Sequence, residues 1–149
     1  MNNKINKLVE SGSNLIGGII HNIDKKVLVI QNSKLKSMNL TFQQAMIIVF
    51  IYQYQDSYIY QKDLEIYLGL TNPSVTSLIK TMISKDLVYR IQDKKDGRYF
   101  HLHLTVKSMK LVDLIADLIY EGDNEITSSL SQDEIKKLYE LLIKIDSTL

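Results

Sequence analysis

Apolar residues recur along this chain with two periods, and the changes between them mark out its elements. From about residue 4 to 31, Ile5, Leu8, Leu15, Ile16, Ile19, Ile20, Ile23, Val27 and Ile30 follow at steps of three and four, one face of a long helix that Gly17 and Gly18 weaken in its middle. The pattern stops near Asn39. Thr41 then caps a second helix running to about Tyr52, with Gln44 three residues on to complete a capping box. Its run "AMIIVFIY" (residues 45–52) is apolar all round, which predicts a buried central helix and is far short of the roughly 20 residues of a membrane span.

The segment "YIYQKDLEIYLGLTNPSVTSLIKTMISKDL" (residues 58–87) reads as two helices joined by a very short turn. Leu64, Tyr67 and Leu68 form the buried face of the first, and Gly69 supplies the positive φ that a sharp turn needs. Asn72 is the predicted N-cap of the second, with Pro73, the single proline, at its first position. Val75, Ile79, Met82 and Ile83 fall on one face of that helix. Ser77, Lys80, Thr81 and Ser84 fall opposite, with Ser74 and Thr76 on the flanks. After Leu87 the period becomes two: Leu87, Tyr89 and Ile91 alternate with Val88, Arg90 and Gln92, then Phe100, Leu102 and Leu104 alternate with Tyr99, His101 and His103. With "DKKDG" and its Gly97 between them, these runs predict a β-hairpin. Thr105 caps a further, long helix with apolar positions Met109, Val112, Leu114, Ile115, Leu118 and Ile119. Ser131 caps a last one that buries Ile135, Leu138, Leu142 and Ile145. No repeat, linker or low-complexity tract interrupts the series.

Composition narrows the function classes. The 149 residues suffice for one ordinary domain with a core. The absence of cysteine excludes disulfides, thiolate metal sites and thiol oxidation as a signal. No signal-peptide pattern opens the chain, so a cytoplasmic protein without membrane attachment is expected. Net charge is only +1, but its distribution is uneven. Residues 1–40 hold six lysines against two acids, residues 80–98 six basic groups against three acids, and residues 111–149 three lysines against nine acids. One basic face suffices to dock a polyanion, because salt screens each charge beyond about 8 Å. No phosphate-cradling glycine loop, nucleophile signature or histidine–carboxylate metal spacing occurs, so neither catalysis nor a cofactor is expected.

Two helices with a tight turn, followed at once by a two-stranded hairpin, make a helix-turn-helix with a wing. In that layout the second helix enters the major groove of DNA. Asn72, Ser74, Thr76, Ser77 and Lys80 are its candidate contacts, the small hydroxyls allowing close approach and the lysine reaching a phosphate or a guanine. At the wing tip Lys94, Lys95 and Arg98 are candidates for phosphate or minor-groove contact. Both arginines of the chain, Arg90 and Arg98, fall in this hairpin, against sixteen lysines in the whole chain. Arginine suits a narrow groove because its charge is planar and weakly hydrated. Arg90, close in sequence to Asp93 and Asp96, is read with Asp96 as support for the wing.

The stretch "QKDLEIYLGLTNPSVTSLIKTMISKDLVYRIQDKKDGRYFHLHLT" resembles the winged-helix core of the multiple-antibiotic-resistance regulator (MarR) family of bacterial transcription factors. The points of resemblance are "LGLTNPSVTSLI", "LVYR" and Asp96-Gly97-Arg98 leading into Leu104-Thr105. Two family glycines are replaced, by Asp86 before the first wing strand and by Ser108 after the second, and the arginine common near Ser77 is missing. The resemblance implies one mainly α domain with a small β-wing, in which about residues 41–105 form the winged helix-turn-helix and about residues 1–35 and 106–149 are dimerisation helices. It also implies a homodimer on a palindromic operator and repression relieved by a small-molecule effector. The competing class is a winged helix used for protein contacts without sequence-specific DNA binding. For an effector, His21, Tyr52 and Tyr54 are weak candidates, Tyr52 and Tyr54 lying in a tyrosine-rich connection with Tyr58 and Tyr60, whose blander reading is packing around a short "YIY" strand. His101 and His103 share a strand face but lack the third ligand a metal requires, and are expected as exposed wing residues with no metal.

Overall fold

The computed structural model describes Lys4 and residues 15–149; the predicted helix positions Ile5 and Leu8 lie outside the described residues. In chain order the described elements are α1 (Ile16–Leu35), a 3-10 turn (Lys36–Met38), α2 (Phe42–Gln53), α3 (Gln61–Leu68), α4 (Asn72–Ser84), β1 (Val88–Gln92), β2 (Phe100–Leu104), α5 (Val106–Met109), α6 (Val112–Ile126) and α7 (Gln132–Asp146). They fall into two compact units, residues 32–119 and residues 1–31 with 120–149.

The first unit holds a winged helix-turn-helix, and α2 is its centre. Ala45, Ile47, Ile48 and Ile51 of α2 are buried together with Leu64 of α3, Val75, Ile79 and Met82 of α4, and Leu102 and Leu104 of β2. Val112 and Ile115 close the same core, so the compact unit runs on to Ile119. The predicted capping box at Thr41 is present: the Gln44 N–H donates to Thr41 Oγ1 at 3.2 Å, and the Thr41 N–H to Gln44 Oε1 at 3.3 Å. β1 and β2 pair antiparallel, with Val88 opposite Leu104 and Gln92 opposite Phe100.

Three helix ends in this unit are built alike. Asn39, Gly69 and Asp86 take left-handed φ of 55°, 62° and 56°. The next residue is a leucine each time, and its N–H reaches back to the carbonyl five residues earlier, as in Leu40 to Leu35, Leu70 to Glu65 and Leu87 to Met82. Each stop satisfies orphaned carbonyls and turns an apolar side chain into the core. The predicted positive φ at Gly69 is therefore observed, and Asp86, standing where the resemblance has a glycine, takes the same conformation. Asp86 closes α4, and Ser108, fully buried, uses its extra hydroxyl to donate to the Leu87 carbonyl at 2.6 Å.

The structure corrects several readings. The N-cap of α4 is Thr71, one residue before Asn72, and Pro73 is the second helical residue, still within the first turn whose N–H groups have no helical acceptor. The long helix expected after Thr105 is broken into α5 and α6 just beyond the point where Ser108 anchors it to Leu87. Tyr67, Ile83, Phe100, Met109 and Leu114 are exposed instead of buried. In β1 the alternation fails, since Leu87 and Val88 are both buried while Tyr89 and Ile91 are open. A two-stranded ribbon projecting past its core has no second layer to distinguish its faces.

In the second unit α7 begins with the predicted cap, Ser131 Oγ accepting the Glu134 N–H and the Glu134 carboxylate accepting that of Ser131. Gly122 is buried against Gln31, and a Cβ there would come within 2.5 Å of the Gln31 amide oxygen. The apolar stripe of α7 is left open among the described residues: Leu138, Leu142 and Ile145 are exposed, contrary to the buried face expected of them, as are Ile16, Ile19, Ile20 and Ile23 of α1.

An aspartate at φ 56° carries strain that glycine would not. Asp86→Gly is expected to raise stability by roughly 0.5–1 kcal/mol, read as a higher urea midpoint with an unchanged slope.

Candidate nucleic-acid interface

The α4 helix buries Val75, Ile79 and Met82, and this leaves Ser74, Thr76, Ser77 and Lys80 on its exposed surface. Thr81 and Ser84 turn their hydroxyls onto backbone carbonyls of their own helix. Ser74 Oγ lies 3.0 Å from Thr71 Oγ1. Ser77 and Lys80 have no side-chain partner among the described residues.

Asn72 and Thr76 belong to a network that composition and spacing did not reveal. Glu65 of α3 is buried, and its Oε1 accepts the Asn72 side-chain N–H at 2.6 Å. Its Oε2 pairs with Lys62 Nζ at 3.0 Å. Gln61 Nε2 donates to Thr76 Oγ1 at 2.7 Å and lies 3.4 Å from both Glu65 Oε1 and the Asn72 carbonyl. The hydrogen bonds from Lys62 and then Asn72 hold the Glu65 carboxyl below the ordinary glutamate range. The sequence signal was an acid next to Leu64 on the inward side of an amphipathic helix.

Asp93 organises the wing. Its Oδ1 accepts the N–H groups of Lys95 at 2.7 Å and Asp96 at 3.1 Å, folding the tip, while its Oδ2 accepts the Tyr60 hydroxyl at 2.7 Å. Led by the Tyr60 bond, these donors lower the Asp93 carboxyl to about 2, and the same bond raises the Tyr60 phenol. Gln92 Nε2 donates to the Gly97 carbonyl at 2.7 Å, and a Cβ on Gly97 would sit 3.1 Å from that nitrogen. Arg98 grips Asp96 through both carboxylate oxygens, Nε to Oδ1 at 3.0 Å and an Nη to Oδ2 at 2.7 Å, yet its side chain is 84% exposed. The pairing lowers the Asp96 carboxyl and raises the Arg98 guanidinium. Asp96 thus pairs with Arg98, whereas Arg90 is exposed and has no hydrogen bond or ion pair from its side chain among the described residues. Lys94 and Lys95 are exposed at the tip.

The wing base also departs from expectation. His101 is 6% exposed instead of open to solvent. Tyr58 stacks on it at 4.3 Å, Asp93 Oδ2 lies 3.5 Å from its Nε2, and His103 Nε2 lies 3.4 Å from its Nδ1. His103 is half-buried, which pushes its pKa down. The cause is the segment before α3: Tyr60 makes an isolated bridge to His101, the Leu102 N–H donates to the Ile59 carbonyl at 2.8 Å, and the rings of Tyr58 and Tyr60 lie against His101. No group of three potential metal ligands occurs among the described residues.

Of the effector candidates, Tyr54 packs on Phe50, which also stacks on Tyr67, while Tyr58 and Tyr60 serve the wing. Tyr52 and His21 are exposed. A cleft of about 940 Å³ between the wing and the two helices is lined by Tyr60, Gln61, Glu65, Asn72, Arg90 and Arg98, among others. It brings the start of α4 and the wing arginine to one concave surface.

Comparison with known proteins was made against this geometry. The family model "Transcriptional regulator SarA/Rot" matches residues 29–115. The chain is 32% identical over 116 residues to the HTH-type transcriptional regulator MgrA of Staphylococcus aureus, covering 76% of this chain and 75% of that protein. Among solved structures it is similar to S. aureus MepR in complex with DNA, with a TM-score of 0.83, 26% identity and coverage of 91% and 98% of the two chains. It also shares the fold of a variant of E. coli MarR in complex with operator DNA, at a TM-score of 0.79, 24% identity and coverage of 89% and 96%.

The Asp93 carboxylate yields a pH test. Its folded pKa of about 2 lies below the roughly 3.9 of an unfolded aspartate, so its stabilisation is present above pH 3.9 and is lost as pH falls through 2. Wild type should exceed Asp93→Asn in urea-unfolding stability at pH 5, and the gap should close as pH approaches 2.

Proposed function

Since the chain belongs to the SarA/Rot family of transcriptional regulators, winged-helix proteins of the MarR type, we propose that it binds a palindromic DNA operator as a homodimer and acts as a cytoplasmic, effector-relieved repressor. The observation that carries this reading is the cleft where the start of α4 and Arg98 meet. A recognition helix in the major groove places its exposed hydroxyls and Lys80 against base edges and phosphates, and a wing on the same surface reaches the flanking backbone or minor groove. MepR in complex with DNA and MarR in complex with operator DNA have the same architecture, which favours this use of the surface.

The dimer is supported by the apolar stripes. Leu138, Leu142 and Ile145 of α7, with Ile16, Ile19, Ile20 and Ile23 of α1, leave an apolar face exposed on each of the two helices, and contiguous exposed apolar faces mark interaction surfaces. A second copy covers like with like across a two-fold axis. Two recognition helices related by that axis read half-sites about one helical turn apart, roughly 34–36 Å.

In binding titrations across a salt series, wild type is expected to bind a selected palindrome saturably, with affinity falling steeply as salt rises. Lys80→Ala should weaken binding to all sequences and reduce the salt slope by about one, and Arg98→Ala should weaken it about tenfold. No saturable binding to any selected DNA would overturn the reading. For the dimer, Leu142→Glu should sediment as a monomer and lose operator binding with its secondary structure intact.

A further inference from the structure

Glu65 lies buried in the wall of the cleft, and it controls what α4 offers to DNA. A carboxylate only accepts hydrogen bonds, so the amide of Asn72, 2.6 Å from Glu65 Oε1, must turn its nitrogen inward. That leaves Asn72 Oδ1 as the side chain's outward group. Gln61 is oriented by the same logic, because its Nε2 lies 3.4 Å from that carboxylate and 2.7 Å from Thr76 Oγ1. The Thr76 oxygen is therefore the acceptor in that bond, and its hydrogen is free to donate outward. Lys62 on the second oxygen keeps the carboxylate ionised, so the arrangement does not relax by protonation.

We infer that Glu65 is a specificity-determining positioning residue: by holding Asn72 and Gln61 it fixes α4 to present an acceptor at Asn72 and a donor at Thr76. The inference rests on the DNA-reading function proposed above. In the major groove an acceptor meets the amino group of adenine or of cytosine, and the bidentate asparagine–adenine pair, which needs the amide oxygen and nitrogen side by side on one base edge, is disfavoured because the nitrogen is turned toward Glu65. Asn72 consequently selects an amino-bearing base without separating adenine from cytosine.

The test is a base-preference profile over randomised palindromes for the full-length protein and three variants, repeated at two salt concentrations. Glu65→Met keeps the volume and removes the acceptor; freed, Asn72 should favour adenine over cytosine by about tenfold at one base pair per half-site, with the salt slope unchanged. Glu65→Gln retains an acceptor and should keep the wild-type profile. A Glu65→Met profile identical to wild type, a uniform loss across all sequences, or a wild type that already separates adenine from cytosine at that pair would overturn the inference. If Glu65→Met does not fold, Asn72→Ala decides: losing the amino-base preference at that pair supports the inference, and an unchanged profile overturns it. Wild type without saturable binding would instead remove the DNA-reading function on which the inference stands.

Discussion

Three turns of the winged unit depend on the same local event, a left-handed residue followed by a leucine. The stops at Asn39, Gly69 and Asp86 end a helix where its carbonyls would otherwise go unsatisfied, and Leu40, Leu70 and Leu87 carry the chain back to the core. The stop at Gly69 permits α4 to begin three residues after α3. The one at Asp86 brings β1 in directly behind α4, and Thr105 and Ser108 then bind the backbone of that same corner. The spacing between recognition helix and wing is thus set by backbone conformation and by two hydroxyls, and the apolar core fills the frame they define.

Carboxylates do the corresponding work on the polar side. Glu65, Asp93 and Asp96 each accept hydrogen bonds from several donors, and each orders a different part of the surface: the start of α4, the fold of the wing tip, and the direction of Arg98. Placing negative charge beside the proposed DNA-reading surface is unfavourable in itself. It is tolerated because each carboxylate is saturated by local donors, which disperse its charge over N–H and O–H groups. Lys62 and Arg98 neutralise two of them outright.

Much of this was legible in the sequence. The helix-turn-helix, the hairpin, the caps at Thr41, Thr105 and Ser131, and the left-handed Gly69 follow from periodicity and from rules that act over a few residues. The losses are of two kinds. Burial was misjudged where the face of an element depends on a distant partner, as for His101, covered by Tyr58 and Tyr60 from about forty residues away, and for Leu138 and Leu142, which stay open among the described residues. The polar partners were missed because hydrogen bonding between helices leaves no period. Asp93 was available to Arg90 by proximity in sequence, but the Tyr60 hydroxyl and two backbone N–H groups saturate it first.

The bidentate hold of Asp96 on Arg98 bears on how the wing would be counted by counterions. Three cations stand at the tip, but one arrives already matched by a carboxylate, so the condensed ions it displaces from DNA would number nearer two than three. What the pair contributes is order: a guanidinium held at one angle on a hairpin whose own shape is fixed, so that approach to the duplex freezes few further rotamers. The wing of this protein is in that sense a shaped probe more than a charged one.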